Sequence, residues 1–138
     1  MENKEKKSKI ENGSWKETFK NALAGCWYAF TTQKNFIVHF LLSFLVLLLA
    51  LWLDVSYERF LFLLLAIFLG LSVEMINTIV EKVVDLITQE YHPLAKIIKD
   101  LSAGAMLIVS VGLGVIGFLV LFPNSLFCLP IVKEVFFR

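Results

Sequence analysis

The stretch VEMINTIVEKVVDL, residues 73–86, decides the fold of this chain. It follows an uncharged apolar run, residues 60–72, and then places carboxylates and an amide at a helical spacing: Glu74, Asn77, Glu81 and Asp85. At about 100° per residue, these four side chains lie within about 80° of each other on one face of a helix. The pattern predicts one continuous helix that begins apolar and carries a polar row along its second half.

The composition places this helix in a membrane. Of the 138 residues, 58% are hydrophobic, whereas a soluble domain has about 45–50% apolar residues. A bilayer core needs about 20 apolar residues in a helix. Three segments meet that length, joined by polar stretches at 54–59 and 88–100: residues 36–53, 60–87 and 101–122. The sequence therefore predicts an all-α membrane protein with three transmembrane helices.

The remaining segments are assigned by their pattern. Residues 15–35 have apolar side chains at steps of three or four residues, which predicts an amphipathic surface helix before the first span: Trp15, Phe19, Leu23, Trp27 and Phe30. Residues 15–122 then form one membrane domain. Residues 1–14 are predicted to be a flexible charged tail, and residues 123–138 a C-terminal tail to which no role is assigned.

Lysine placement predicts the orientation. Lysines are frequent before the first span and in the 88–100 connection, whereas the 54–59 turn has only Arg59 as a cation. Because cytoplasmic loops carry an excess of Lys and Arg, the N-terminus and the 88–100 connection should face the cytoplasm from a cell (inner or plasma) membrane. A net charge of +1 does not create a strongly positive electrostatic field that would attract nucleic acid. Nucleic acid is therefore not an expected partner.

The carboxylate row points to phosphoryl-transfer chemistry. A carboxylate at membrane depth, such as Glu74, costs a few kcal/mol or more and usually marks function. Oxygen ligands without clustered Cys or His suit magnesium, which commonly also holds substrate phosphates. Lys99 and Asp100 follow nearby, and a lysine is a phosphate partner. Metal-binding carboxylates, a base and a lysine are the parts of phosphoryl transfer. At a membrane boundary the acceptor would be a lipid alcohol.

The same residues resemble a known family. VEMINTIVEKVVDLITQEYHPLAKIIKDLSAGAMLI (73–108) is similar to the signature of the small prokaryotic diacylglycerol kinases: E-x-x-N-x-x-[IV]-E-x-x-V-D, a short loop with His, then A-K-x-x-K-D. The three-span hydropathy extends the resemblance over roughly residues 20–122. It implies a homotrimer with composite active sites between subunits, embedded in membrane lipids. The YHPLAKIIKD context resembles the undecaprenol kinase branch more than the diacylglycerol kinase branch.

The resemblance also implies roles for single residues. Glu74 would be the general base on the lipid hydroxyl, and Glu81 would bind Mg²⁺, with ATP as co-substrate. A further set would position the nucleotide phosphates, the metal or the surrounding network: Asn77, Asp85, Lys99 and Asp100. His92 would lie in the nucleotide-side loop; alternatively, it is an exposed residue just before the proline that starts a helix.

One departure from the family pattern affects the predicted metal site. The second metal ligand of the family is a glutamate in a T-E-x-N-F context, whereas this chain has TQKNF, with Gln33 at that position. An amide oxygen can coordinate magnesium but brings no charge. The alternatives to an active kinase are therefore a non-catalytic or inactive family member and a small transport or channel subunit. An ion path would place polar residues along a whole span, but residues 60–72 have none that ionise.

Two other patterns resemble functional motifs but have simpler structural explanations. GLGVIG (112–117) spells a dinucleotide-binding pattern, but no strand precedes it. Its glycines, with SAGA (102–105), are predicted to allow close helix approach in lipid. His39 and Ser43, four residues apart in the first span, are either part of a lipid or proton path or, as we favour, bonded locally against another helix.

Overall fold

The computed structural model describes residues 14–122, which are all-helical, with no strand in that range. Four helices follow one another: α1 Trp15–Thr32, α2 Lys34–Trp52, α3 Tyr57–Ile87 and α4 Pro93–Leu121. The predicted tails, apart from Ser14, lie outside the described residues. The all-α prediction is confirmed for the described range.

Three of the helices can cross a membrane, as predicted. The helices α2, α3 and α4 have 19, 31 and 29 residues, and each contains an 18-residue stretch whose mean hydropathy is 2.3, 2.2 and 2.5, respectively. At 1.5 Å per residue, α3 is about 46 Å long, which exceeds the hydrocarbon thickness of about 30 Å. Part of α3 must therefore project beyond the apolar layer, and its polar second half is the part suited to do so.

The connection between α3 and α4 is shorter than the predicted 88–100 segment. The α4 helix begins at Pro93, so the connection is limited to residues 88–92. Proline is favoured in the first turn of a helix, and the His92 side chain accepts a hydrogen bond from the backbone N–H of Leu94. The polar residues up to Asp100 are thus the first turns of α4. The prediction from apolar residues located only the part of α4 that suits the bilayer, and it left out the polar turns at the start of the helix.

The surface helix and the first span are separated by one residue. Gln33 has an extended backbone (φ −104°, ψ 105°) between the end of α1 and the start of α2. The ring of Phe30 meets that of Phe40 edge-on, with centroids 5.3 Å apart. Aromatic pairs favour this edge-to-face arrangement. The apolar stripe of α1 is exposed on the protomer, with Trp15 91% and Trp27 68% exposed. Its placement at the membrane interface remains a prediction.

A tight turn joins α2 to α3. Asp54 has a positive φ of 50°, a conformation that Asp tolerates better than most residues. Beside the turn, Ala50 of α2, Leu63 of α3 and Leu121 of α4 form a small buried apolar cluster. This cluster brings the three long helices together at the end of the molecule that is farthest from the α3–α4 connection.

The long helices bury polar groups and expose apolar ones. The buried side chains include Glu74, Asn77 and Thr78, whereas Phe62 and Phe68 of the same helix are 63% and 65% exposed. In water this distribution would be unstable, because exposed apolar area is costly. In lipid it is expected, since polar groups must find partners inside the protein.

Packing between α3 and α4 is the closest contact in the protomer. The α3 helix packs mainly on α4, then on α2. A Cβ added at Gly70 would lie 2.5 Å from Leu113 Cδ1, so a larger residue at this crossing would force the Leu113 side chain to move. The predicted close approach at the glycines of α4 is not seen within one chain, where a Cβ at Gly104, Gly112, Gly114 or Gly117 meets nothing within 4 Å.

Candidate active site

The polar row of α3 runs from a buried to an exposed environment. Glu74 and Asn77 are 2% and 5% exposed, Glu81 is half-buried, and Asp85 is exposed. A helix without a break keeps the four side chains on one face, as the spacing predicted. The row therefore connects the interior of the helix bundle to the α3–α4 connection.

A first cavity lies between α3 and the break that separates α1 from α2. Its volume is about 280 Å³, and its lining includes Gln33, Glu74, Asn77, Thr78 and Glu81. We call it the carboxylate cavity. The structure thus brings the predicted base and both predicted metal ligands to one cavity, although they come from two distant parts of the sequence.

A chain of hydrogen bonds fixes Glu81 from α4. The Ser102 hydroxyl donates to Asn77 Oδ1 at 2.7 Å, and Asn77 Nδ2 donates to Glu81 Oε1 at 3.2 Å. Both ends of the Asn77 amide are therefore used inside the protein. This arrangement orients one Glu81 oxygen and leaves Oε2 without a hydrogen bond to the residues in 14–122. Among the roles considered for Asn77, it favours the surrounding network.

Glu74 differs from the other carboxylates in its partners. Its side chain accepts no hydrogen bond from residues 14–122, and His39 of α2 and Glu81 act on it electrostatically. Buried polar groups are normally hydrogen-bonded. A carboxylate that is buried, lines a cavity and has no hydrogen-bond partner within the described chain is suited to accept a proton from a ligand.

A second cavity lies at the α3–α4 connection. Its volume is about 410 Å³, and it is lined by the other predicted phosphate-binding residues, Asp85, His92, Lys99 and Asp100, together with Lys96. We call it the connection cavity. Asp85 follows Glu81 by one turn, about 6 Å along α3. The predicted site residues thus form two neighbouring groups along one helix.

The lysines of the connection cavity form ion pairs with two of its carboxylates. Lys99 Nζ lies 2.6 Å from Asp85 Oδ1 and so links α4 to α3. Lys96 pairs with Asp100 within α4. The His92 imidazole accepts from Leu94 N–H through Nδ1 at 3.2 Å. His92 therefore caps α4 and also lines the cavity, so both sequence interpretations describe part of its environment.

The donor set of the carboxylate cavity fits magnesium bound together with a nucleotide. Within residues 14–122, no three His, Cys, Asp or Glu side chains come close enough to hold a metal by themselves. Magnesium is usually bound by one or two carboxylates plus waters and substrate phosphates. Glu81 and the Gln33 amide oxygen meet that description, since Gln33 Nε2 is directed to Thr32 Oγ1 at 2.9 Å.

Sequence reasoning missed several residues of these cavities. Ser102 was assigned only to helix approach, although it follows Lys99 by three residues and so shares its face of α4. Lys34 and Asn35 line the carboxylate cavity beside Gln33. The sequence did contain a signal for these two residues, because both lie in TQKNF, the stretch whose glutamine had already been singled out.

Comparison with known proteins identifies the family. The family model for prokaryotic diacylglycerol kinase matches residues 20–121. The undecaprenol kinase of Bacillus subtilis is 33% identical over 108 residues, which are 78% of this chain and 88% of that protein. The diacylglycerol kinase of Synechocystis is 39% identical over 110 residues, 79% of this chain and 63% of the relative. The diacylglycerol kinase of Escherichia coli K12 is 36% identical over 64 residues, 46% of this chain and 52% of that protein.

These matches cover the helices that build both cavities, and they confirm the resemblance predicted from residues 73–108. The family match begins within α1 and ends with α4. The chain belongs to the prokaryotic diacylglycerol kinase family and is a membrane lipid kinase.

Proposed function

We propose that this protein transfers the γ-phosphoryl group of ATP to the hydroxyl of a membrane lipid alcohol, with undecaprenol favoured over diacylglycerol. Relatives named for each substrate support both lipids as candidates. The undecaprenol kinase match spans more of the relative's own length, 88% against 63%. The active site would face the cytoplasm, and the protein would act as a homotrimer.

The observation that carries the proposal is the environment of Glu74. This carboxylate is 2% exposed and lines the carboxylate cavity without a hydrogen bond to residues 14–122. In the proposed reaction it accepts the proton of the lipid hydroxyl. The hydroxyl oxygen then forms a bond to the γ-phosphorus, and the bond from that phosphorus to the β–γ bridging oxygen breaks. ADP leaves with the electron pair of that bond.

Glu81 and Gln33 would hold magnesium in the carboxylate cavity. The ion would neutralise charge on the β- and γ-phosphates and align them. Ser102 and Asn77 contribute by orienting Glu81 through their hydrogen bonds. The neutral Gln33 supplies an oxygen without a charge, so Glu81 provides the formal charge of this protein ligand pair.

The connection cavity would hold the nucleotide phosphates. Its lining includes three carboxylates, Asp85, Glu90 and Asp100, against two lysines, Lys96 and Lys99. Such a cavity would repel a polyphosphate unless a divalent cation accompanied it. Lys99 can exchange its Asp85 partner for a phosphate oxygen, because the pair is 41% and 48% exposed and exposed ion pairs are weak. His92 would border the nucleotide as part of the loop.

The test is a phosphorylation assay with a Glu74→Gln variant. Purified protein, magnesium and labelled ATP are combined with undecaprenol, diacylglycerol and other lipid alcohols. We expect label in at least one lipid, and we expect Glu74→Gln to lower kcat by about 10²–10⁴-fold while nucleotide binding is kept. Glu58→Gln is the control, because Glu58 is exposed in the first turn of the same helix and lines neither the carboxylate cavity nor the connection cavity.

Two results would contradict the proposal. If Glu74→Gln kept more than half of the activity, Glu74 would not be the base. If no lipid alcohol were labelled, the protein would be an inactive family member.

A further inference from the structure

A third cavity lies among the three long helices, and the proposed reaction does not yet use it. Its volume is about 360 Å³, and residues of α2, α3 and α4 line it. The walls are mainly apolar, with Leu63, Gly70 and Leu113 among them, and polar side chains from α2 include His39 and Ser43. We call it the interhelical cavity.

The interhelical cavity continues the face of α3 that carries the carboxylates. Its lining includes Leu63, Ile67 and Gly70, which precede Glu74 at steps of four, three and four residues. This spacing places them on the face of Glu74. Gly70 lies about 6 Å and Leu63 about 16 Å from Glu74 along the helix axis. The interhelical cavity therefore lies on the same face of α3 as Glu74, beginning about one helical turn away at Gly70 and running towards the Asp54 turn, whereas Glu74 itself lines the carboxylate cavity.

His39 connects the two cavities in a second way. It lines the interhelical cavity, and it acts electrostatically on Glu74. Neither His39 nor Ser43 makes a side-chain hydrogen bond within residues 14–122, so the local bonding favoured from the sequence is not seen there. The polar lining of the interhelical cavity is thus near its Glu74 end.

We propose that the interhelical cavity holds the part of the lipid alcohol's hydrocarbon chain that lies next to the hydroxyl, with that hydroxyl placed at Glu74. The inference rests on the proposed function. A lipid with its hydroxyl at Glu74 must place its chain in an apolar space, and ligand sites are commonly apolar with a few polar groups that set orientation. The stripe from Glu74 to Leu63 offers such a space in line with the base. At about 360 Å³, the cavity has room for the first part of one chain only, so the rest of a long polyprenol chain would extend into the bilayer.

Glycine at two positions keeps the cavity open. Gly117 lines it, and a Cβ there would meet nothing within 4 Å, so a larger side chain can enter the space. Gly70 lines it where α3 crosses Leu113. By contrast, Gly112 on α4 also has open space around it but does not line the cavity. This difference provides a matched pair of variants.

The experiment compares Gly117→Leu with Gly112→Leu, using undecaprenol and prenol as acceptors. Prenol has a single isoprene unit and would end before the cavity. Loss of chain contacts should lower kcat/KM for undecaprenol by at least about tenfold in Gly117→Leu, because each methylene in a pocket contributes about tenfold or more. We expect less than about a twofold change for prenol in Gly117→Leu, and for either alcohol in Gly112→Leu. An equal loss with both alcohols, or no loss with undecaprenol, would overturn the proposal.

A second measurement does not depend on turnover. A polyprenol with a photoreactive diazirine in its chain is crosslinked to the full-length protein, and the labelled residues are mapped by mass spectrometry. We expect label on cavity residues such as Leu71 and Leu113, reduced in Gly117→Leu and kept in Gly112→Leu. Label confined to lipid-exposed residues such as Phe62 and Phe68 would exclude the cavity as the chain site. If the cavity were labelled but no alcohol phosphorylated, chain binding would stand and the kinase proposal would fall.

Discussion

Gln33 is the residue at which this chain departs from its family and also the residue that joins two helices. Its extended backbone separates α1 from α2 and directs its side chain into the carboxylate cavity with Glu81. In the proposed metal site, a neutral ligand beside a single carboxylate would give a low formal charge. The charge at position 33 can therefore be changed, by replacing glutamine with glutamate, without altering the length of the side chain.

We predict that Gln33→Glu lowers the magnesium concentration needed for half-maximal activity by about tenfold, equivalent to about 1.4 kcal/mol. The added charge would strengthen binding of the ion in a partly dry site. The measurement is a magnesium titration at saturating ATP in both proteins. If the midpoint stayed the same, Gln33 would have to be removed from the proposed metal site.

Ser102 offers a test of how Glu81 is positioned. In Ser102→Ala, Asn77 loses its donor, and a lost hydrogen bond of about 1 kcal/mol should raise the magnesium midpoint about fivefold. Ser102→Thr keeps the hydroxyl and should restore the midpoint. Ser72→Ala is the control, because the Ser72 hydroxyl donates to the Phe68 carbonyl of its own helix and makes no other side-chain hydrogen bond among residues 14–122. A purely structural role for Ser102 would lower the yield of folded protein without moving the midpoint.

The spacing of the row predicted that Glu74, Asn77, Glu81 and Asp85 share a face, because a helical period fixes which side chains are neighbours on one element. It could not predict which side chains of other helices meet them. The Ser102–Asn77 bond joins residues 25 positions apart, and such pairs depend on how α4 packs on α3. The Gln33 assignment came from the family motif and not from the spacing.

The connection cavity depends on the pairing of α3 with α4. A connection of only residues 88–92 makes the two helices antiparallel neighbours, which brings Lys99 within 2.6 Å of Asp85. Hydropathy predicted the three spans but not the polar helical turns of α4 that precede the third span. Polar helical turns such as Pro93–Asp100 have no apolar signal, and their helicity comes from the proline and the His92 cap.

A charge exchange across this helix pair separates stability from catalysis. Asp85→Lys and Lys99→Asp alone should each lower the unfolding free energy only slightly, because the pair is half-exposed and exposed ion pairs are weak. The double variant re-forms the ion pair and should regain that stability. It should not regain kinase activity, because the ammonium group then lies on α3. Recovery of activity in the double variant would mean that Lys99 acts only through its pairing with Asp85.

The whole molecule exposes apolar helix faces on nearly every side, as a membrane protein does. Its orientation in the membrane determines which end meets ATP. We predict that a cysteine at Ser56 reacts with an impermeant thiol reagent from outside intact cells, whereas one at Gln89 does not. Both positions are exposed on the protomer. The background carries Cys26→Ser and Cys128→Ser. The reverse labelling pattern would place the site on the outer face and exclude cytoplasmic ATP as the donor.

The buried position of Glu74 also has a consequence for how the protein is made. A single α3 leaving the translocation machinery would have to expose this carboxylate to lipid, at a cost of about 2.5–3.5 kcal/mol or more. Before α2 and α4 pack on α3, no neighbouring helix shields the group. The membrane insertion of α3 should therefore depend on the synthesis of the helices around it. A chain interrupted before Pro93 would be retained at the translocation machinery or degraded instead of remaining in the membrane as a stable two-helix fragment.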